Sequence, residues 1–322
     1  MKSSVTLLGT GLLAAGFLLL SGCGGGGGGS TATELKATTV ITADNADAVT
    51  AGAVGSVTAG DSQLNGSTLQ LYSLAAGGFA GASAPDLTVG ILALVPPRSG
   101  LSTRSLETRD TATEACQDGG SVTVTTSPDG KSGDILYDHC SEGGYTMNGR
   151  ISFDLSDPTR ETVTLTDLSL LSADVDSEFT SAVIDAFYDS NDTLAAVDAT
   201  MTATVTFKTD TYAMKGTYRY NAFHMHVDDI AAPPLKIRVS GLVSAPCTGG
   251  WVDVETVETI VTDYDACPTA GKLEALGAEN TKAEALFNAD GSVDVVFDGQ
   301  SRHYDSCEDL SAACASGSAT AG

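Results

Sequence analysis

Basic residues are scarce in this chain. Sixteen Lys and Arg stand against 41 Asp and Glu in 322 residues, a formal net charge of −25 at pH 7. A nucleic-acid surface needs a basic footprint, so no nucleic acid is expected as a partner. Electrostatic adsorption to anionic headgroups is disfavoured for the same reason. Tryptophan occurs once, at Trp251, and aromatics make up 6% of the residues, which argues against a ring-lined groove for cleaving polysaccharides. Four histidines are present, and G-x-S-x-G, H-E-x-x-H, P-loop and dinucleotide motifs are all missing. No C-x-x-C pair occurs, which disfavours a thiolate metal site. Neither an enzyme nor a cofactor is expected from this inventory.

What is present begins at the N-terminus. Lys2 precedes an apolar stretch, residues 5–20, followed by the small residues Ser21 and Gly22. This is the layout of an export signal, and its apolar part is shorter than the roughly 20 residues a membrane span requires. Leu20-Ser21-Gly22-Cys23 resembles the lipobox of bacterial lipoproteins. That resemblance implies removal of residues 1–22, diacylglycerol on the Cys23 sulfur and usually a further acyl chain such as palmitate on the new amine. Gly24–Gly29 and the residues to 34 then read as a flexible tether. Gly24 stands where Asp would favour inner-membrane retention, so the resemblance implies a lipid-anchored place in the outer membrane, on either face. The membrane, reached through lipid, is the expected partner.

Six further cysteines remain: Cys116, Cys140, Cys247, Cys267, Cys307 and Cys314. An even number in an exported chain reads as disulfides. Six cysteines allow 15 connectivities; proximity along the chain favours Cys116–Cys140, Cys247–Cys267 and Cys307–Cys314.

Residues 35–115 are rich in small side chains and are expected to form a small, semi-independent, mixed helical and irregular region. A short helix is predicted to start near Thr42, capped by Asp44 or Asn45, with Gly52 and Gly55 weakening it. Residues 98–115 read as a polar linker. From Cys116 to Cys314 the texture becomes that of a β domain. Ile151, Phe153 and Leu155 alternate, as do Leu235, Ile237 and Val239; Val163 and Leu165 slip phase to Leu168 and Leu170, as a bulge requires. Residues 272–287 are ambiguous: propensity favours helix, whereas Gly277 and the alternation of Ala283, Ala285 and Phe287 favour a hairpin. Residues 315–322 are expected to be a flexible tail. The predicted fold class is all-β, a long antiparallel meander forming a half-open barrel or a curved sheet or sandwich.

The runs Gly143–Phe153, Gly249–Thr256, Cys267–Leu273 and Asp290–Val293 resemble a pattern found in a group of β-rich bacterial envelope lipoproteins. That group implies the strand reading of residues 272–287 and lends no function.

Three constellations carry potential chemistry. In Phe223-His-Met-His-Val-Asp-Asp229, a strand would project His224 and His226 from one face, where they could share a metal ion. Met225 would point the other way, and Asp228 or Asp229 could add a third ligand from a turn. Asp174, Asp176 and Glu178, with Asp189–Asp192, are the oxygen-rich places to look for calcium. Tyr212, Met214, Tyr218 and Tyr220 could line an apolar cavity. The function expected first is a non-enzymatic structural or interaction module. A carrier of lipid or another apolar ligand comes second, and an envelope hydrolase last.

Overall fold

Period-two patterning dominates the chain after residue 109, and the structure turns it into strands throughout. It is a computed structural model that describes residues 35–56, 110–173, 175–191, 193–208, 216–230, 234–263 and 267–317. Helix α1 spans Ala46–Gly55. The strands are β1 (Asp110–Ala115), β2 (Ser121–Thr126), β3 (Ser132–Glu142), β4 (Tyr145–Asp154), β5 (Arg160–Leu171), β6 (Val175–Tyr188) and β7 (Leu194–Phe207). They continue with β8 (Gly216–Asp228), β9 (Leu235–Ser244), β10 (Val252–Thr262), β11 (Ala270–Leu276), β12 (Lys282–Phe287), β13 (Val293–Phe297) and β14 (Gln300–Tyr304). Helix α2, Cys307–Gly317, follows. All 14 strands form one antiparallel sheet in sequence order, so the fold is an all-β meander. β1 and β14 are not partners among the described residues, so the sheet is open rather than a closed barrel.

One face of the sheet is the core. Val163, Leu165, Leu168 and Leu170 of β5, and Tyr218, Tyr220, Phe223, Met225 and Val227 of β8, are all buried. Both sets slip phase once, and each slip is a bulge. In β5 it falls at Asp167, whose φ is +47°, opposite Gly149 of β4. A Cβ on Gly149 would lie 2.2 Å from the Asp167 carbonyl oxygen, so only glycine fits there. In β8 the slip falls at Ala222, φ +46°, opposite Gly241 of β9, where a Cβ would lie 2.6 Å from the Ala222 oxygen.

The ambiguous segment 272–287 is a hairpin. Leu273 and Ala275 of β11 and Ala283, Ala285 and Phe287 of β12 face the core. Lys272, Glu274, Lys282 and Glu284 face outward; Lys272 pairs with Glu284 and Lys282 with Glu274 across the strands, and Lys282 also reaches Glu284 of its own strand, each contact at 2.8 Å. Residues with high helix propensity adopt strand geometry here because their pattern has period two and tertiary burial outweighs propensity.

The described part of the N-terminal segment joins the core of the sheet. Residues from Leu35 onward form one unit, and Ile41, Val49 and Val54 belong to the same core cluster as the sheet. Of residues 35–115, the described stretches are 35–56, which pack into the sheet's core, and 110–115, where the predicted linker 98–115 ends in β1; residues 57–109 lie outside the described residues. Asn45, one of the two residues expected, holds the N-cap position of helix α1, but its side chain caps no helical N–H; its Oδ1 instead accepts the Thr42 N–H at 2.7 Å. It packs against α2 and against β10–β13. Gly52, expected only to weaken the helix, lies where a Cβ would meet Thr248 at 2.8 Å and Ala245 at 2.9 Å. Its missing side chain permits the close approach. The preceding segment is tied to the same end of the sheet. Thr38 N–H donates to the Trp251 carbonyl at 2.8 Å, and Ala278 N–H donates to the Thr39 carbonyl at 2.6 Å.

The disulfides are Cys116–Cys140, Cys247–Cys314 and Cys267–Cys307. The first matches the pairing by proximity, and the other two correct it. Cys307 and Cys314 lie seven residues apart on one face of α2, with buried Leu310 between them. They cannot bridge to each other across two helical turns, roughly 10 Å. Instead each reaches a loop of the sheet, so α2 is stapled near both ends. The expected tail also shortens, since α2 continues to Gly317.

Gly241→Ala is expected to cost about 2 kcal/mol or more, because it adds a backbone clash to a left-handed conformation. Gly291, φ +82° with open space around it, is the control, and Gly291→Ala carries only the conformational cost, about 1–2 kcal/mol. Urea midpoints at unchanged slope measure both, and equal losses would refute the clash.

Candidate functional site

The side chains singled out in the sequence sit on opposite faces of β8. Met225, Phe223 and Val227 are buried, and His224 and His226 project to the outer face, as the alternation predicts. The register places Thr200 and Asp198 of β7 beside them on one side, and Ser240 and Arg238 of β9 on the other.

His226 is fully engaged. Its Nδ1 lies 2.6 Å from an Asp198 carboxylate oxygen and its Nε2 lies 3.0 Å from Asp228. Arg238 reaches the same Asp228 oxygen at 3.5 Å, while Asp229 is taken by Lys236 at 2.7 Å. The Nδ1 of His224 meets the Thr200 hydroxyl at 3.2 Å. Both nitrogens of His226 are therefore occupied by carboxylates, and Asp228 serves as their partner rather than as a third metal ligand. Among the described residues, no group of three or more His, Cys, Asp or Glu is placed to hold a metal ion.

Beside this row the ladder between β9 and β10 breaks. The register slips between Glu255 and Ile260, and the Thr256 hydroxyl accepts the Val239 N–H at 2.9 Å. The slip leaves an open depression of about 390 Å³ on the outer face, bordered by Asp198, His224, His226, Arg238, Ser240 and Glu255. Its donors and acceptors come from four consecutive strands. Only the two histidines were legible in advance, since partners contributed by β7, β9 and β10 depend on register. The outward phase of Asp198 in β7 was the one local signal available.

The other candidates separate. Tyr218 and Tyr220 are buried in the core cluster, and Tyr220 meets Phe223 edge-on at 5.2 Å. Burial pushes the Tyr218 phenol well above its ordinary range. Tyr212 and Met214 lie outside the described residues, as do Asp174 and Asp192. Asp176 pairs with Lys208 at 2.6 Å. Asp189 accepts the backbone N–H groups of Asn191 and Thr193 at 2.8 and 2.9 Å, so its carboxylate closes the β6–β7 turn. Those bonds hold it below the usual carboxylate range. His139 contacts the exposed Asp138 at 2.8 Å. Cys23 and its tether also lie outside the described residues.

His303 of β14 has the clearest electrostatic setting. Its Nδ1 bonds Asp294 at 2.8 Å and its Nε2 lies 3.5 Å from Asp305. The Asp294 hydrogen bond, with the charges of Asp294, Asp305 and Asp290, holds its pKa above the ordinary 6.5. The contact therefore stabilises fully below about pH 6.5 and fades as pH rises through the raised value.

No protein-family model and no curated protein matches the chain.

An NMR titration is expected to give His303 the higher pKa of the pair His303 and His303 in Asp294→Asn, with the variant returning toward 6.5. Identical titration curves would show that Asp294 does not set the imidazole's charge.

Proposed function

We propose that the protein is a lipid-anchored lipoprotein of the bacterial outer membrane that acts as a non-enzymatic structural or interaction module. Leu20-Ser21-Gly22-Cys23 carries this reading, because acylation there gives a durable anchor and the glycines behind it let the folded part stand clear of the headgroups. Three disulfides suit an oxidising compartment outside the cytoplasm. The acidic surface keeps such a domain soluble and leaves attachment to the lipid. Support for the non-enzymatic part comes from the histidines. Each of the four has a hydrogen-bonding partner on the exterior, and none is paired with a buried serine or carboxylate. The carrier reading has less behind it, because Tyr218 and Tyr220 belong to the packed core.

Intact mass of the protein purified from bacterial membranes tests the proposal. Loss of residues 1–22, a gain of two or three acyl chains, and about six daltons more on complete reduction are expected for three disulfides. An unacylated Cys23 would remove the basis for the anchor and the location. An additional mass released only by organic extraction would favour the carrier.

A further inference from the structure

The depression over β7–β10 gathers several polar groups without side-chain partners around one concavity of the outer face. Elsewhere on that face some side chains satisfy one another, and those that do not, such as Arg150, Glu178 and Arg219, do not converge on the depression. Arg160 bonds Asp185 through two nitrogens at 2.9 and 2.8 Å, Ser152 donates to Asp134 at 2.6 Å, and Lys272 and Lys282 hold Glu284 and Glu274. At the depression, the Glu255 carboxylate and the Ser240 hydroxyl have no side-chain partner among the described residues. The Nε2 of His224 is likewise uncommitted, and Arg238 has only its 3.5 Å contact with Asp228. Behind these groups stands a set that is already fixed. His226 is clamped between Asp198 and Asp228, Thr200 orients His224, and Thr256 is held by the Val239 N–H.

This mixture narrows the ligand. An anion would meet the carboxylates of Glu255 and Asp198. A divalent cation finds no group of three ligating side chains among the described residues. An apolar ligand would strip water from four polar side chains without replacing their hydrogen bonds. A neutral polyol meets none of these objections, since every hydroxyl both donates and accepts. A carboxylate can accept two neighbouring hydroxyls, and a guanidinium and an imidazole can donate to the ring or glycosidic oxygens. The volume lies near the low end for small-ligand clefts, about 300–1,000 Å³, which suits a single pyranose or a disaccharide. We infer that the outer-face depression bordered by His224, Arg238, Ser240 and Glu255 is a binding site for a neutral sugar unit. Among the described residues no Phe, Tyr or Trp borders it, so hydrogen bonds carry the affinity, which is on the order of millimolar. The residues concerned do not involve Cys23, so this inference and the lipid anchor stand or fall separately.

Saturation-transfer NMR on the full-length protein in detergent, with glucose, galactose, mannose and N-acetylglucosamine as separate probes, tests it. Transfer to the ring protons of at least one sugar is expected. Glu255→Ala should weaken that sugar about tenfold, the loss of one charge-assisted hydrogen bond, and Ser240→Ala should weaken it less. Glu258→Ala, an exposed carboxylate of the same strand outside the depression, should change nothing. Both glutamates are exposed, so unchanged circular dichroism and urea midpoints are expected to accompany the binding result. Absence of transfer from all four sugars would overturn the inference, as would transfer that Glu255→Ala leaves intact.

Discussion

The structure depends on keeping one face of the sheet apolar in phase across strands that are too irregular to do so by simple alternation. A strand of period two that gains a residue turns every later side chain to the wrong face. β5 and β8 each gain one, and each absorbs it in a bulge whose residue takes a positive φ, Asp167 in one and Ala222 in the other. The bulge pushes a carbonyl toward the adjacent strand, and that strand answers with a glycine, Gly149 or Gly241. The apolar series 163, 165, 168, 170 and 218, 220, 223, 225, 227 therefore stay in the core although their spacing is broken. Bulges also bend strands and increase local twist.

The last third of the sheet is held differently. Strands β11–β14 are short, and their buried side chains include several alanines, which bury little surface. Two helices cover this region, and neither has the length or the apolar stripe to stand alone. α2 is fixed by Cys307 to the β10–β11 loop and by Cys314 to the β9–β10 loop. α1 lies against α2 and is brought close to the sheet by Gly52, while Arg302 of β14 bonds Asp47 at its first turn. The chain thus returns its N-terminal segment to strands more than two hundred residues away. Closing such large loops is costly in entropy, and covalent links at both ends of α2 offset part of that cost.

The outer face is governed by cross-strand polar pairing. Thr111 and Thr113 meet Thr125 and Thr123, Asp198 meets His226, and the β11–β12 hairpin is lined by alternating Lys and Glu. Such exposed pairs are each worth about 0.2–1 kcal/mol, so they set register more than stability. Where β10 departs from register the pairing fails, and unmatched groups gather around a depression. The proposed binding site lies beside this irregularity: Glu255 and Ser240 stand opposite each other at the last paired position before β10 slips.

Period-two runs, a phase slip between Leu165 and Leu168, and turn residues between them suffice to define an antiparallel meander, because strand side chains alternate whatever their neighbours do. The proposed export signal, lipidation motif at Cys23 and glycine tether are likewise local readings, since each would work through contiguous residues. The start of helix α1 after Asn45 and the opposite orientations of His226 and Met225 were legible for the same reason. Local sequence could not decide which cysteines meet: Cys247 lies 20 residues from Cys267 yet bonds Cys314, because the folded chain brings α2 to the β9–β10 loop. Nor could it assign residues 35–56 to the core, since their partners lie at the far end of the chain. The groups around His224 were equally hidden, contributed by four strands whose alignment exists only once the sheet has formed. Alternation, capping and motif depend on neighbours in sequence; pairing, register and the site depend on neighbours in space, which only the folded chain supplies.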